Sequence, residues 1–320
     1  MKKVHLLLST LFLLTFSLQA QQVDREYVVV EIATGTWCQY CPGSAMGAED
    51  LIENGHEVAI IEYHYGDDYQ NTYSSSRVSY YGVSGYPTAY FDGILSVVGG
   101  SQTQSMYPQY LPRYNQRIGV QSSFSLDVTG ETYGLMDYEV DITVEKVASS
   151  SASNLKLHFV ITESEIEENW QGMDVLDYVE RIMVPNQYGT SIDFSGGDTQ
   201  EVSLSFSIDE EWVYEHCEVV VFLQDHSTKE VHQATKMPLS AFTPAYDRDA
   251  SIVGTRNIPE KSCMGSVAPI ATIRNNGNET LTSVDINYQV NRRRLCQHIA
   301  GRANSIFLET ADVELPAGKF

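Results

Sequence analysis

The first hundred residues of the chain alternate between apolar runs and segments with helical spacing. Residues 26–34 and 58–64 are almost continuously apolar, which is typical of strands buried on both faces of a sheet. Between them, small and apolar residues recur at helical spacing from Pro42 until an Asn-Gly pair at Asn54 stops the pattern. Strands that alternate with helices predict an α/β unit with a mixed sheet over residues 22–117.

Three further elements complete this predicted unit. They are a short helix over residues 74–81, a strand between two turns over residues 85–93, and a closing helix over residues 101–118. Pro108 and Pro112 disfavour the closing helix, because proline lacks the backbone N–H that a helix interior requires.

After Gly119 the chain changes to an alternation of apolar and polar residues. Runs of this kind cover residues 120–128, 137–147, 155–162, 201–208 and 217–224. A period of two is typical of strands with one buried face, so we predict an antiparallel β-sandwich over residues 119–243. Residues 218–224 and 230–235 are predicted to pair as a hairpin, and a helical or irregular insert is predicted near residues 164–183.

A third module is predicted over residues 248–320, as a partial immunoglobulin-like β domain. A strong turn signal, Asn-Asn-Gly-Asn, lies between two of its strand patterns at residues 275–278. Residues 292–303 interrupt the pattern with a cluster of arginines, and our hypothesis is a local reading-frame anomaly there. We therefore assign no function to Cys296 or His298.

Residues 1–20 are typical of a secretory signal peptide. Lys2 and Lys3 supply the positive start, residues 6–18 supply the apolar stretch, and Ala20 ends a small-residue cleavage site. No later run approaches the ~18 apolar residues that a membrane-spanning helix needs. The sequence therefore predicts an exported chain without a transmembrane span.

The chain is strongly acidic, with 42 Asp and Glu against 20 Lys and Arg and a formal net charge of −22 at pH 7. Such a surface repels phosphate backbones and anionic lipid headgroups. We therefore predict no nucleic-acid partner, and solubility outside the cytoplasm accounts for the charge.

Five cysteines are present, at positions 38, 41, 217, 263 and 296, and only the first two are close in sequence. Cys38 and Cys41 follow a predicted buried strand and open a predicted helix. The unsatisfied N–H groups and the positive dipole end of a helix stabilise a thiolate and lower its pKa below about 8.5. Cys38 is therefore the predicted attacking thiolate and Cys41 the resolving one, with protein thiols or disulfides as partners.

Two other interpretations of this pair remain open. A Cys-x-x-Cys pair can be half of a zinc site, although Cys217 and Cys263 are isolated and lie in other predicted modules. The second alternative is a purely structural disulfide across two residues. No pattern in the chain indicates a cofactor or a complete metal site, so we predict neither.

The motif Trp-Cys-x-x-Cys after a valine-rich strand, followed further along by Gly-Tyr-Pro-Thr, resembles the thioredoxin superfamily. The resemblance implies that Pro87 is cis and lies beside the dithiol, and that the backbone of Tyr86 pairs with an incoming substrate. It also implies a buried acid on the preceding strand, for which Glu31 is the candidate if one residue is inserted before the motif. Trp37 and Tyr40 are, with Tyr86, the candidate substrate-binding residues.

A narrower resemblance is carried by Gly-Thr-Trp-Cys-x-Tyr-Cys-Pro-Gly, the Gly-Tyr-Pro-Thr turn and a later Val-Val-Val-Phe-Leu-Gln-Asp strand. Over residues 22–240 these motifs resemble an exported Bacteroidota family named after a twenty-eight-kilodalton outer-membrane protein. That family implies a thioredoxin-like domain followed by a β-sandwich, located in the periplasm, at the outer membrane or on the cell surface, and it brings no established substrate. We predict an exported thiol–disulfide oxidoreductase, or a redox-active thioredoxin-like binding module, that uses the Cys38/Cys41 dithiol. The alternative is a surface interaction or adhesion protein whose thioredoxin-like domain is a scaffold without catalysis.

Overall fold

The computed structural model describes residues 21–134, 136–256 and 270–282. The predicted signal peptide, most of the predicted third module and residues 292–303 lie outside these ranges. Within them the chain is mostly β and forms several sheets. No helix in these ranges is long and apolar enough to cross a bilayer.

The N-terminal region follows the predicted alternation of strands and helices. In chain order it contains β1 (Val28–Thr34), α1 (Pro42–Glu53), β2 (Val58–His64), α2 (Thr72–Tyr81), β3 (Thr88–Phe91), β4 (Leu95–Val98) and α3 (Tyr107–Ile118). Helix α3 forms despite its two prolines, although it begins later than predicted. Pro108 falls in its first turn, where a missing N–H costs no helical hydrogen bond, and the buried Tyr110 and Tyr114 hold the helix on the sheet.

The strands of this region form a mixed sheet. β1 runs parallel to β2 and antiparallel to β3, which pairs in turn with β4. Every residue of β1 and β2 is buried, because α1 and α3 cover one face and α2 covers the other. Side chains alternate between the faces, so Val30 and Ile32 face α1, whereas Val29 and Ala33 face α2.

The remaining elements are strands, joined by turns and short 3-10 helices. In chain order they are β5 (Phe124–Tyr133), β6 (Asp137–Lys146), β7 (Leu155–Glu163), β8 (Ile166–Trp170), β9 (Met173–Leu176), β10 (Val179–Val184), β11 (Thr190–Ser191), β12 (Thr199–Ser207), β13 (Cys217–Asp225), β14 (Val231–Pro238), β15 (Thr243–Pro244), β16 (Ala250–Arg256) and β17 (Ile270–Asn275). β13 and β14 pair antiparallel, which confirms the predicted hairpin. β16 and β17 form a separate antiparallel pair.

One sheet runs through both the N-terminal region and the β region. Its strand order is β14-β13-β7-β10-β2-β1-β3-β4, with β11 paired to β7. The joint is the parallel pairing of β10 with β2 at Val179 and Glu62, where Glu62 N donates to Tyr178 O at 2.8 Å. The two predicted domains therefore share a continuous sheet, and the boundary between them near Gly119 stays a prediction.

A second sheet, with strand order β12-β6-β5-β15, packs face to face against part of the first. Alternate residues of β6 are buried between the two sheets, as the period of two predicts. The core between the sheets is apolar and includes Phe124, Tyr138, Ile142, Phe159 and Val221.

Residues 164–183 form strands, so the predicted helical insert is wrong. β8 and β9 make a two-stranded hairpin, and β10 enters the large sheet between β7 and β2. Gln171 and Gly172 connect β8 to β9 with positive φ angles of 46° and 91°. Two consecutive left-handed residues suit a tight hairpin turn and do not fit a right-handed helix, so the turn decides the structure of this segment.

Candidate active site

Cys38 and Cys41 lie in the connection between β1 and α1. Cys38 N donates a hydrogen bond to Gly35 O at 3.0 Å, and Cys41 N donates to Cys38 O at 3.1 Å, so the connection consists of two successive tight turns. The two sulfurs form a disulfide, with a Cα–Cα distance of 5.4 Å. Cys41 is the N-cap residue of α1, and no side chain caps that helix. The positive end of the α1 dipole therefore lies next to the disulfide.

The Tyr86–Pro87 peptide bond is cis, as the thioredoxin resemblance implies, and it lies beside this connection. Gly100 separates the two: a Cβ at this position would meet Tyr40 O at 2.2 Å and Pro87 Cγ at 2.8 Å. Gly99 N also donates to Pro87 O at 2.8 Å. The close approach therefore requires a glycine at position 100, and it brings Pro87 near the residues between the two cysteines.

The candidate substrate-binding aromatics lie together next to the disulfide. Trp37 and Tyr40 are each 52% exposed. The rings of Trp37 and Tyr86 meet edge to face at a centroid distance of 5.5 Å, and Tyr86 stacks on Tyr65 at 5.9 Å. Trp37 Nε1 donates to Tyr65 O at 2.8 Å, so the exposed indole is held in one orientation. These rings present an apolar surface with polar edges, which suits contact with a polypeptide or a small organic thiol.

Asp67 fixes the turn that precedes the disulfide. Its Oδ2 accepts hydrogen bonds from Thr36 N and His64 Nδ1, both at 2.7 Å, and its Oδ1 accepts from Tyr69 N at 3.1 Å. Burial alone would raise the pKa of Asp67, but these hydrogen bonds and the charge of His64 lower it below its ordinary value. Asp67 is therefore ionised at neutral pH and anchors the turn.

The disulfide is covered by a distant segment of the chain. Cys41 is fully buried and Cys38 is 4% exposed. Both belong to one apolar cluster with side chains from β8, β9 and β10, namely Trp170, Leu176 and Val179. At the tip of the β8–β9 hairpin, Gln171 Nε2 donates to Thr36 O at 3.1 Å, across a sequence separation of 135 residues. No local pattern near the cysteines predicts this cover.

Glu31 is not brought to the disulfide, which corrects the role that the resemblance implies for it. Alternation along β1 puts its side chain on the face that α2 covers, opposite to α1. Its carboxylate accepts hydrogen bonds from Arg77 and Tyr81, with Arg77 Nε at 2.9 Å from Oε1. Because both carboxylate oxygens are engaged in this buried cluster, the geometry gives Glu31 no part in proton transfer at Cys41.

Glu62 is a buried carboxyl on the face that α1 covers, and the sequence analysis missed it. It shares that face with Ile60 of the same strand. Burial, followed by the charge of Asp177, raises the pKa of Glu62 to about 8. Glu62 lines a cavity of about 210 Å³ together with Ala45 of α1 and Trp170 of the hairpin. The available signal was a carboxylate that follows four apolar residues inside a fully buried strand.

Cys217 is a buried free cysteine on β13. Burial, followed by the charge of Glu163, raises the pKa of its thiol to about 12. Since the thiolate is the reactive form, both its burial and its raised pKa disfavour reaction of Cys217 with thiol reagents at neutral pH.

Comparison with known proteins extends the description of the fold. No family model matches the sequence, and no curated protein matches it. The solved structure of HBP35 of Porphyromonas gingivalis is similar over 81% of this chain and 96% of that chain, with a TM-score of 0.59 at 13% identity. A domain of the outer membrane lipoprotein Omp28 from Porphyromonas gingivalis aligns over 36% of this chain and 87% of that chain, with a TM-score of 0.29 at 12% identity, which is too low to establish a common fold. The chain therefore shares its overall fold with HBP35 at low sequence identity.

Proposed function

We propose that the chain is an exported thiol–disulfide exchange protein whose redox centre is the Cys38–Cys41 pair. The observation that carries the proposal is the disulfide at the N-terminus of α1 with the cis Tyr86–Pro87 bond beside it. A thiolate at this end of a helix is stabilised by the dipole, and a second cysteine three residues away can resolve a mixed disulfide. These features support a thioredoxin-like domain, followed by a β-sandwich.

In the oxidising direction, a substrate thiolate attacks Cys38 Sγ. The Cys38–Cys41 bond breaks, a mixed disulfide forms at Cys38, and Cys41 leaves as a thiolate. A second substrate thiolate then attacks the substrate sulfur of the mixed disulfide, which releases the substrate as a disulfide and Cys38 as a thiolate. Two electrons pass from the substrate to the protein. In the reducing direction the Cys38 thiolate attacks a substrate disulfide, and Cys41 releases the product.

The surrounding side chains have separate parts in this proposal. Cys38 is the cysteine with residual exposure and is therefore the one that we assign as attacked. Trp37 and Tyr40 offer exposed rings to the substrate, and the backbone of Tyr86 is the substrate-pairing edge. Glu62 lines a cavity with Ala45 and Trp170, which also pack in the apolar cluster of the two cysteines, and it is our candidate in place of Glu31 for proton exchange with Cys41.

The proposed location is the periplasm, the outer membrane or the cell surface. The predicted signal peptide supports export, and the motif resemblance to a Bacteroidota outer-membrane family supports the finer location. Oxidising compartments of this kind maintain disulfides, so the Cys38–Cys41 pair would be available there for exchange with substrate thiols.

A second candidate function is favoured by the burial of the disulfide. With Cys38 only 4% exposed, the pair has the accessibility of a structural crosslink. In this alternative the protein is a surface interaction or adhesion protein, the disulfide stabilises the connection between β1 and α1, and the large β region carries the binding surface.

The deciding experiment is a redox titration of the mature chain against glutathione buffers, with Cys263→Ser and Cys296→Ser in every sample. We expect the Cys38–Cys41 disulfide to equilibrate within the buffer range and the protein to catalyse exchange between glutathione and a low-molecular-weight disulfide. Cys38→Ser should abolish the activity, and Cys41→Ser should trap a mixed disulfide at Cys38. Alkylation and mass spectrometry read the state of each thiol.

Cys217→Ser is the matched control, because its thiol has a pKa of about 12 and should not take part. If the titration is unchanged in this variant, the signal belongs to the Cys38–Cys41 pair. A disulfide with a potential below about −300 mV, as structural disulfides have, together with no turnover, decides for the scaffold alternative.

A further inference from the structure

The β8–β9 hairpin is an element that disulfide exchange does not require. It is an excursion of the chain between β7 and β10, and its two strands pair only with each other among the described residues. An isolated two-stranded hairpin is marginally stable in water, so the position of this one depends on what it packs against.

The hairpin packs against the residues that surround the Cys38–Cys41 disulfide. Trp170 is 4% exposed and lies in the apolar cluster that contains both cysteines. Gln171 Nε2 donates to Thr36 O at 3.1 Å, on the turn before Cys38, and Tyr69 OH donates to Glu168 Oε2 at 3.1 Å. The hairpin is therefore joined to the cysteine side by the buried side chains of Trp170 and Leu176 and by two peripheral hydrogen bonds.

The cover over the disulfide is incomplete. Trp37 and Tyr40, which flank Cys38 in the motif, are half exposed, whereas the indole of Trp170 is buried. The remaining access to Cys38 is narrow, because only 4% of that residue is exposed. A small thiolate needs to reach one sulfur atom, but a folded protein must also bring its own surface against the loop that the hairpin tip contacts.

We propose that Trp170 and the β8–β9 hairpin are specificity-determining: with the hairpin in place, Cys38 exchanges with low-molecular-weight thiols and disulfides, and cysteines on folded proteins are excluded. This inference rests on the proposed thiol–disulfide exchange at Cys38. Trp170 acts on the reaction through the steric limit that it sets, and it takes no part in bond making or breaking.

The experiment compares the rate constants with which two reductants of different size open the Cys38–Cys41 disulfide. The probes are 2-mercaptoethanol and a reduced thioredoxin, in the full mature chain and in Trp170→Ala. We expect the wild-type protein to react with 2-mercaptoethanol and to discriminate against the thioredoxin. In Trp170→Ala the rate constant for the thioredoxin should rise at least about tenfold relative to that for 2-mercaptoethanol, which corresponds to about 1.4 kcal/mol.

A second variant tests the same inference if Trp170→Ala does not fold. The double change Glu168→Gln and Gln171→Ala weakens the two peripheral contacts and leaves the apolar cluster intact. It should shift the ratio of the rate constants in the same direction by a smaller factor. Glu167→Gln is the matched control, because this side chain is on the exposed part of the same hairpin and should leave both rate constants unchanged.

The outcomes separate the two proposals. A disulfide that both reductants open, with the same ratio of rate constants in all variants, overturns the size limit and leaves the exchange function intact. A disulfide that neither reductant opens in any folded variant, including Trp170→Ala, overturns the exchange function and the inference that rests on it.

Discussion

Helices α1 and α2 pack on opposite faces of β1 and β2, and the two faces are built differently. On the α2 face, Arg77 pairs with the buried Glu31, and the N-terminus of α2 carries a complete capping box at Asn71. On the α1 face, the buried Glu62 has no lysine or arginine partner among the described residues and has His64 Nε2 at 3.9 Å, and α1 has no side-chain cap at its N-cap residue Cys41.

The Glu31–Arg77 pair and the Asn71 cap stabilise the α2 side of the sheet, and neither Glu62 nor the N-terminus of α1 has an equivalent within the described part of the chain. The Glu31–Arg77 pair and the Asn71 cap follow the ordinary rules for buried charge and helix capping, whereas Glu180 of β10, beside Asn71, is a second buried carboxyl whose pKa burial raises to about 8. The α1 face breaks both rules within the same small volume, next to the disulfide. Buried carboxyls with a raised pKa concentrate at functional sites, and Glu62 is the one whose cavity is lined by residues that also pack against the disulfide, namely Ala45 and Trp170.

The largest expected effect comes from removing the buried ion pair on the α2 face. Arg77→Met leaves the Glu31 carboxylate buried without its cation, and we expect a loss of about 3–5 kcal/mol in the free energy of unfolding, measured in urea. Adding Glu31→Gln to this variant should restore part of the loss. Arg248→Met, which removes an exposed ion pair with Glu279, is the control and should cost less than about 1 kcal/mol. An equally small cost for Arg77→Met would contradict the assigned role of the buried pair.

A second effect, which grows with pH to a size comparable with the first, is expected on the α1 face. The folded state holds the Glu62 proton up to about pH 8, whereas the unfolded chain releases it near about pH 4.3. As pH rises between these values the unfolded state is favoured, by at most about 1.4 kcal/mol per pH unit. Glu62→Gln removes this term, so the variant should match the wild type near the acidic limit and exceed its stability at about pH 8.

Urea unfolding across this pH range measures the effect. Glu167→Gln, an exposed carboxylate on the hairpin, should leave the pH profile parallel to that of the wild type. A parallel profile for Glu62→Gln as well would mean that Glu62 is ionised in the folded protein, and the contrast between the two faces would then disappear.

The smallest expected effect concerns the helix ends. Asn71 Oδ1 accepts hydrogen bonds from Tyr73 N and Ser74 N, both at 2.8 Å, so Asn71→Ala should destabilise the protein by about 1 kcal/mol. Because Asn71 lies on the α2 face, the rate at which 2-mercaptoethanol reduces the Cys38–Cys41 disulfide should stay unchanged in this variant. A change in that rate would indicate that the two faces are coupled through the sheet.

The local elements of the α1 face could be predicted from the sequence because their signals are local. The proline at the start of α1, the Asn-Gly pair at its end and the apolar runs of β1 and β2 each act within a few residues. The cysteine pair at the strand-to-helix connection follows from the same signals. The cis bond before Pro87 came from the motif resemblance and not from any local pattern.

The missed features depend on register and on distant contacts. Glu31 was aligned by allowing one inserted residue, and a shift of one residue along a strand moves a side chain to the opposite face. The β8–β9 hairpin could not be placed from its own pattern, because what it packs against lies more than a hundred residues earlier in the chain. Glu62 acquires its raised pKa only when α1 and the hairpin close over it.

The pairing of β10 with β2 has a practical consequence for anyone who wishes to express the N-terminal region by itself. A truncation after Gly119 removes β10 and leaves the outer side of β2 as a bare edge, with the backbone of Glu62 no longer paired. Bare edges recruit strands from other molecules, so such a fragment should self-associate and precipitate. A fragment that extends to Pro244 keeps β10 paired with β2, so it is a better choice for recombinant expression.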